Sequence, residues 1–71
     1  MTNLELTGWR PGLNTVALIE AVRTHSTQSL STAKRDVERF LGGETIMLEF
    51  ATEESKEMFR KKAEQLGVSV R

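Results

Sequence analysis

The sequence predicts a two-layer α/β (α+β) domain of order β-α-α-β-α-β, a three-stranded sheet with three helices on one face. Three observations predict it. Leu4 and Leu6 over Asn3–Thr7, and Ile46, Leu48 and Phe50 over Thr45–Phe50, fall at every second position. Three longer stretches carry apolar residues at helical spacing, each opened by a capping residue and closed by a polar or glycine-containing break. A chain of 71 residues has room for one core and makes residues 1–71 a single domain.

Leu4 and Leu6 alternate with Glu5 and Thr7, the period of a strand with one buried face. Gly8-Trp9-Arg10-Pro11-Gly12 reads as the turn that stops this strand, because proline lacks an amide donor and glycine accepts positive φ. Asn14 suits the N-cap of a helix running from Thr15 to about Thr24, since its side-chain oxygen can take a first-turn amide. His25 to Ser29 is a polar loop. A second helix follows with Ser29 or Ser31 as its cap, its apolar face being Leu30, Ala33, Val37, Phe40 and Leu41. Gly42-Gly43 ends it with the left-handed residue that helix C-termini use. Ile46, Leu48 and Phe50 form the buried row of the second strand. Thr52 caps a third helix, with Glu53 and Glu54 against the positive end of its dipole and a Glu57–Lys61 pair one turn apart. Gly67 closes that helix, and Val68-Ser69-Val70 is a short last strand. A helix between the second and third strands implies that these run parallel through a right-handed crossover, with the first strand between them and antiparallel to both.

Ten basic and ten acidic side chains cancel. A neutral chain lacks the positive field that nucleic-acid binding needs, so no nucleic-acid partner is expected. No apolar stretch approaches the ~20 residues that span a bilayer, and no secretory signal opens the chain, so a soluble cytoplasmic protein without a membrane partner is expected. The chain has no cysteine, which removes disulfides, thiolate metal sites and thiol chemistry.

Nothing in the sequence assembles a catalytic, metal or cofactor site, and the chain is read as a non-enzyme. His25 is the only histidine and has no second ligand of its kind. Ser26 and Ser29 lie near it without an orienting acid. Glu53 and Glu54 point about 100° apart on a helix and do not converge on one substrate. Gly42-Gly43 is not followed by the lysine and hydroxyl of a phosphate loop. Trp9 is expected to be partly buried at the bottom of the core, and Met47 and Met58 to serve packing.

Gly12-Leu13-Asn14-Thr15-Val16-Ala17-Leu18-Ile19-Glu20-Ala21-Val22-Arg23 resembles the helix that opens the C-terminal domain of the bacterial large-subunit ribosomal stalk protein. Leu30-Ser31-Thr32-Ala33-Lys34-Arg35-Asp36-Val37-Glu38 is similar to the next helix of that family, with no gap between the stretches. The remainder fits the family in order, with about three extra residues near Gly42-Gly43-Glu44. The resemblance implies the same β-α-α-β-α-β fold and a domain that contacts translational GTPases through its first two helices and the loop between them. The matching positions are Val16, Ile19, Arg23 and Lys34, which become the candidate protein-binding residues. This chain departs from the family at Thr15 and Glu20, where lysine is usual, and at Thr27-Gln28-Ser29, where the family loop is glycine-rich. Met1 directly precedes the first strand, and the chain is read as a free-standing relative without the family's dimerisation region and hinge.

Periodicity alone leaves the first helix two orientations. In one, Ala17, Leu18, Ala21 and Val22 face the core, and Val16 and Ile19 lie outside beside Glu20 and Arg23. In the other, Val16, Leu18, Ile19 and Val22 are core and the alanines face out. The resemblance favours the first, with Arg23, Lys34 and Arg35 as a basic rim. A peptide-binding protein like the Clp-protease adaptors, which share this topology, is an alternative, although Gly8-Trp9-Arg10-Pro11 stands where their acidic loop would be. Self-association as a homodimer through the Val16–Ile19 helix is another.

Overall fold

Strand β1 (Thr2–Trp9) is the centre of a three-stranded sheet, flanked by β2 (Ile46–Phe50) and β3 (Val68–Val70), each antiparallel to it. The computed structural model describes residues 2–71. The outer strands run parallel to each other, as the intervening helix requires. Leu4 sits opposite Leu48 and Leu6 opposite Ile46, so the buried rows of β1 and β2 share one face. Met47 and Glu49 alternate to the open face.

The chain does not turn at Gly8 as its glycine and proline content suggests. β1 continues through Trp9 because β3 offers it further pairing. Leu6 lies opposite Val70 but Gly8 opposite Ser69, so Thr7 is the extra residue of a bulge. One extra residue reverses the side-chain alternation beyond it. Trp9 is therefore opposite Val68, in the row that faces the helices, rather than outside. Its side chain remains 39% exposed at the sheet's end, so it is less covered than expected.

Each helix starts where a side-chain oxygen takes a first-turn amide. Asn14 Oδ1 accepts from Ala17 N–H at 3.0 Å to open α1 (Thr15–His25). Ser29, not Ser31, caps α2 (Leu30–Leu41), accepting from Thr32 N–H at 3.4 Å. Thr52 Oγ1 accepts from Ser55 N–H at 3.1 Å to open α3 (Glu53–Leu66). The left-handed residue after α2 is Gly43, with φ +105°, while Gly42 keeps an ordinary φ of −78°. Gly67 closes α3 at φ +88°. Carboxylate–cation pairs on α3 form at three-residue spacing, Glu53 with Lys56 and Glu57 with Arg60, so the expected Glu57–Lys61 pair gives way to Arg60.

Leu18, Ala21 and Val22 of α1, Ala33, Val37 and Phe40 of α2, and Phe59 and Ala63 of α3 meet the inner face of the sheet in one core. The rings of Phe50 and Phe59 are 5.4 Å apart and tilted by 44°, a favourable aromatic geometry that joins β2 to α3. Helices α2 and α3 lie on the strands, and α1 packs mainly across those two helices. Three expected packing residues fall outside. Leu30 is 43% exposed, because it is the first residue of α2 and projects beyond the core, Met47 is exposed on the open face of the sheet, and Met58 is exposed on α3. Among the described residues, no helix is long and apolar enough to cross a membrane.

Candidate protein-interaction face

The orientation of α1 decides where any contact face can lie. At about 100° per residue, Leu18, Ala21 and Val22 occupy one arc, and all three are buried. Val16, Ile19, Glu20 and Arg23 fall in the opposite arc, about 100° wide. Val16 is 71% exposed, the most open of the large apolar side chains. The second orientation, with Val16 in the core and the alanines outside, is therefore not the one adopted. The reason is packing: Ala21 lets α1 approach its neighbours closely, and Leu18 and Val22 fill the space between α2 and α3.

Ile19 does not share the full exposure of Val16. It is half-buried and packs against the core. The other flank of the helix explains which neighbour it meets. Ala17, Glu20, Ala21, Thr24 and His25 line a shallow groove of about 270 Å³ with Lys62 of α3. That places α3 beside Ala17 and Ala21, and leaves Ile19 on the flank toward α2.

Arg23 is exposed and donates from Nη2 to Glu20 Oε2 at 2.8 Å. This hydrogen bond, with the added attraction of the carboxylate, holds the guanidinium above its ordinary range. Lys34 is exposed on α2, four residues after Leu30 and on the same strip of that helix. Among the described residues, neither Lys34 nor Arg35 has a carboxylate within ion-pair distance, whereas Arg39 on the same helix is taken by Asp36 and Glu44. The structure thus brings Val16, Ile19 and Arg23 onto one stripe of α1 and sets Lys34 on the helix packed beside it. Leu30 is an exposed apolar residue that periodicity assigned to the core. Its position at the very start of a helix was the available signal.

The loop between these helices is fastened at several points. Ser26 N–H and Oγ both donate to Val22 O, at 3.0 and 2.6 Å, and Gln28 N–H donates back to Ser26 Oγ at 3.3 Å. Thr27 N–H donates to Glu49 O on the outer edge of β2 at 3.1 Å. Gln28 Nε2 donates to Asp36 Oδ2 on α2 at 2.7 Å. One loop therefore ties α1, α2 and β2 together, and it sets the angle between the two helices before any partner arrives. The bonds to Glu49 and Asp36 were not readable from the sequence, because each depends on which distant carbonyl or carboxylate the fold brings near.

His25 is the last residue of α1 rather than the first of the loop. The Ser26 hydroxyl beside it is engaged with Val22 O and is not aligned as a nucleophile. Among the described residues, no group of three or more His, Cys, Asp or Glu side chains could hold a metal ion. Glu53 and Glu54 lie exposed in the first turn of α3, where they oppose the helix dipole.

Comparison of the chain with family models, curated proteins and solved structures returned no match.

The face can therefore do one kind of chemistry well. An exposed β-branched side chain on a rigid helix gains by leaving water, and the charged groups around it can orient what covers it.

Proposed function

We propose that this domain is a non-catalytic protein-binding module of the ribosomal-stalk type. It acts in the cytoplasm and docks a translational GTPase through Val16, Ile19, Arg23 and Lys34. The observation that carries the reading is the exposure of Val16 opposite a filled core arc on α1. The core arc of that helix is already filled by Leu18, Ala21 and Val22, which leaves Val16 free to be covered by a partner. The β-α-α-β-α-β order and the resemblance of the first two helices to that family add support. Docking would bury Val16, give a partner's acidic groups Arg23 and Lys34, and use the fastened loop to avoid the loss of freedom that a mobile contact surface suffers.

Purified domain titrated with a purified translational elongation GTPase tests this. Val16→Ser is the informative variant, because Ile19 also packs on the core and its loss would disturb the fold. The expected result is saturable binding that Val16→Ser weakens about tenfold, the effect of truncating one central apolar contact. Absence of binding by the native domain, or equal binding by the variant, rejects the assignment.

A further inference from the structure

The sheet has two edges, and the chain covers them differently. On β2 the outward carbonyl of Glu49 accepts Thr27 N–H at 3.1 Å, so the loop between α1 and α2 closes that edge. On β3 the inward groups are easily traced. Glu5 and Arg71 exchange both backbone bonds, at 3.2 and 2.8 Å, and Arg10 N–H donates to Gly67 O at 3.1 Å. Thr7 Oγ1 donates to Ser69 O at 3.4 Å. Gly67, Ser69 and Arg71 thus turn their backbone groups toward β1. In an antiparallel ladder the residues between them turn theirs away. The N–H and C=O of Val68 and Val70 point outward, and among the described residues no backbone group from outside the sheet meets them.

Four such groups, on residues two apart, match an extended strand. The register says which strand. Val68-Ser69-Val70 reads the same in both directions. An antiparallel copy set with its Ser69 opposite Ser69 brings Val68 against Val70 on both sides of the axis, and each of the four groups meets its complement. The side chains agree. Val70 is half-buried, and Trp9, 39% exposed, lies in the same helix-facing row of the sheet. This register extends Trp9 and Val68 of one copy into Val70 and Leu6 of the other, one continuous apolar row. Ten basic and ten acidic side chains leave no net charge to hold the copies apart.

We propose that β3 pairs with β3 of a second copy about a two-fold axis at Ser69, joining two three-stranded sheets into one. The pairing uses no residue of the α1 face, so it stands or falls apart from the docking role. A three-residue edge limits it to four backbone bonds over a small area, so the dimer is weak and fills at about millimolar concentration.

Sedimentation equilibrium of the purified domain, from about 10 μM to about 1 mM, tests this. The expected result is a mass that climbs from the 8.0 kDa of one chain toward twice that value. Ser69 is exposed, so charging it leaves the circular dichroism unchanged. Ser69→Lys sets two cations side by side on the axis and stays at the mass of one chain. An equimolar mixture of Ser69→Lys and Ser69→Glu associates more strongly than either alone, and Val16→Ser associates like the native domain. A native domain that stays monomeric at the highest concentration would overturn the inference. So would a Ser69→Lys variant that associates as the native domain does, or a mixture no stronger than its parts. Loss of association in Val16→Ser would place the contact on α1 and overturn it as well.

Discussion

Replacing Val16 by serine and Leu18 by alanine in parallel asks whether α1 is seated as described. Val16 is 71% exposed and Leu18 is fully buried. Complete burial of a valine contributes about 1.5–3 kcal/mol, so under a third of it leaves about 0.5 kcal/mol to lose. Serine and valine have nearly equal helix propensities, so the backbone adds little. Leu18→Ala removes a fully buried side chain and should cost about 2–5 kcal/mol. A domain of this size has about 4–11 kcal/mol in total. With a urea dependence of about 1 kcal/mol per molar, Val16→Ser moves the unfolding midpoint by about 0.5 M and Leu18→Ala by about 2 M or more. Urea titration followed by circular dichroism measures both. Equal shifts for the two variants, or a larger one for Val16→Ser, would mean that the helix is rotated and that the contact face does not exist.

Two further substitutions check how the helices end. Gly67 holds φ +88°, and a Cβ there would meet the Arg10 side chain no closer than 3.6 Å, so Gly67→Ala should lose about 1–2 kcal/mol through backbone strain alone, while Gly42→Ala, at φ −78°, should lose much less in the same urea titration. Asn14→Ala removes the acceptor for Ala17 N–H and should cost about 1 kcal/mol, with Asn14→Ser restoring most of it; equal stability of all three would show that the cap contributes nothing.

Much of this fold is visible in the chain because its local preferences agree with its packing. Ile46, Leu48 and Phe50 alternate, and all three are buried; Asn14, Thr52 and Gly67 mark helix ends, and all three do so. The differences arise where a distant element intervenes. Trp9 follows residues that read as a turn, yet β3 extends the strand to it and a bulge at Thr7 reverses its face. Leu30 has core periodicity, but a first-turn residue at the rim of a thin core stays in water. The candidate face was legible only in part. Helical spacing groups Val16, Ile19, Glu20 and Arg23, but it cannot choose which arc is buried. That choice depends on the space between α2 and α3, and there Leu18 and Val22 fit. Periodicity also could not show that Arg23 is engaged with Glu20, because an exposed arginine has several rotamers open to it. The ties from Thr27 and Gln28 span 22 and 8 residues and depend wholly on the assembled fold.

The most direct test of the central claim is a footprint. Amide chemical shifts of the isotopically labelled domain would be followed as an elongation GTPase is added. The account predicts that the largest changes cluster at Val16, Ile19, Glu20, Arg23, Leu30 and Lys34, with the open face of the sheet around Met47 and Glu49 unmoved. Changes centred on that open face, on Thr24, His25 and Lys62 across the groove, or nowhere would contradict it.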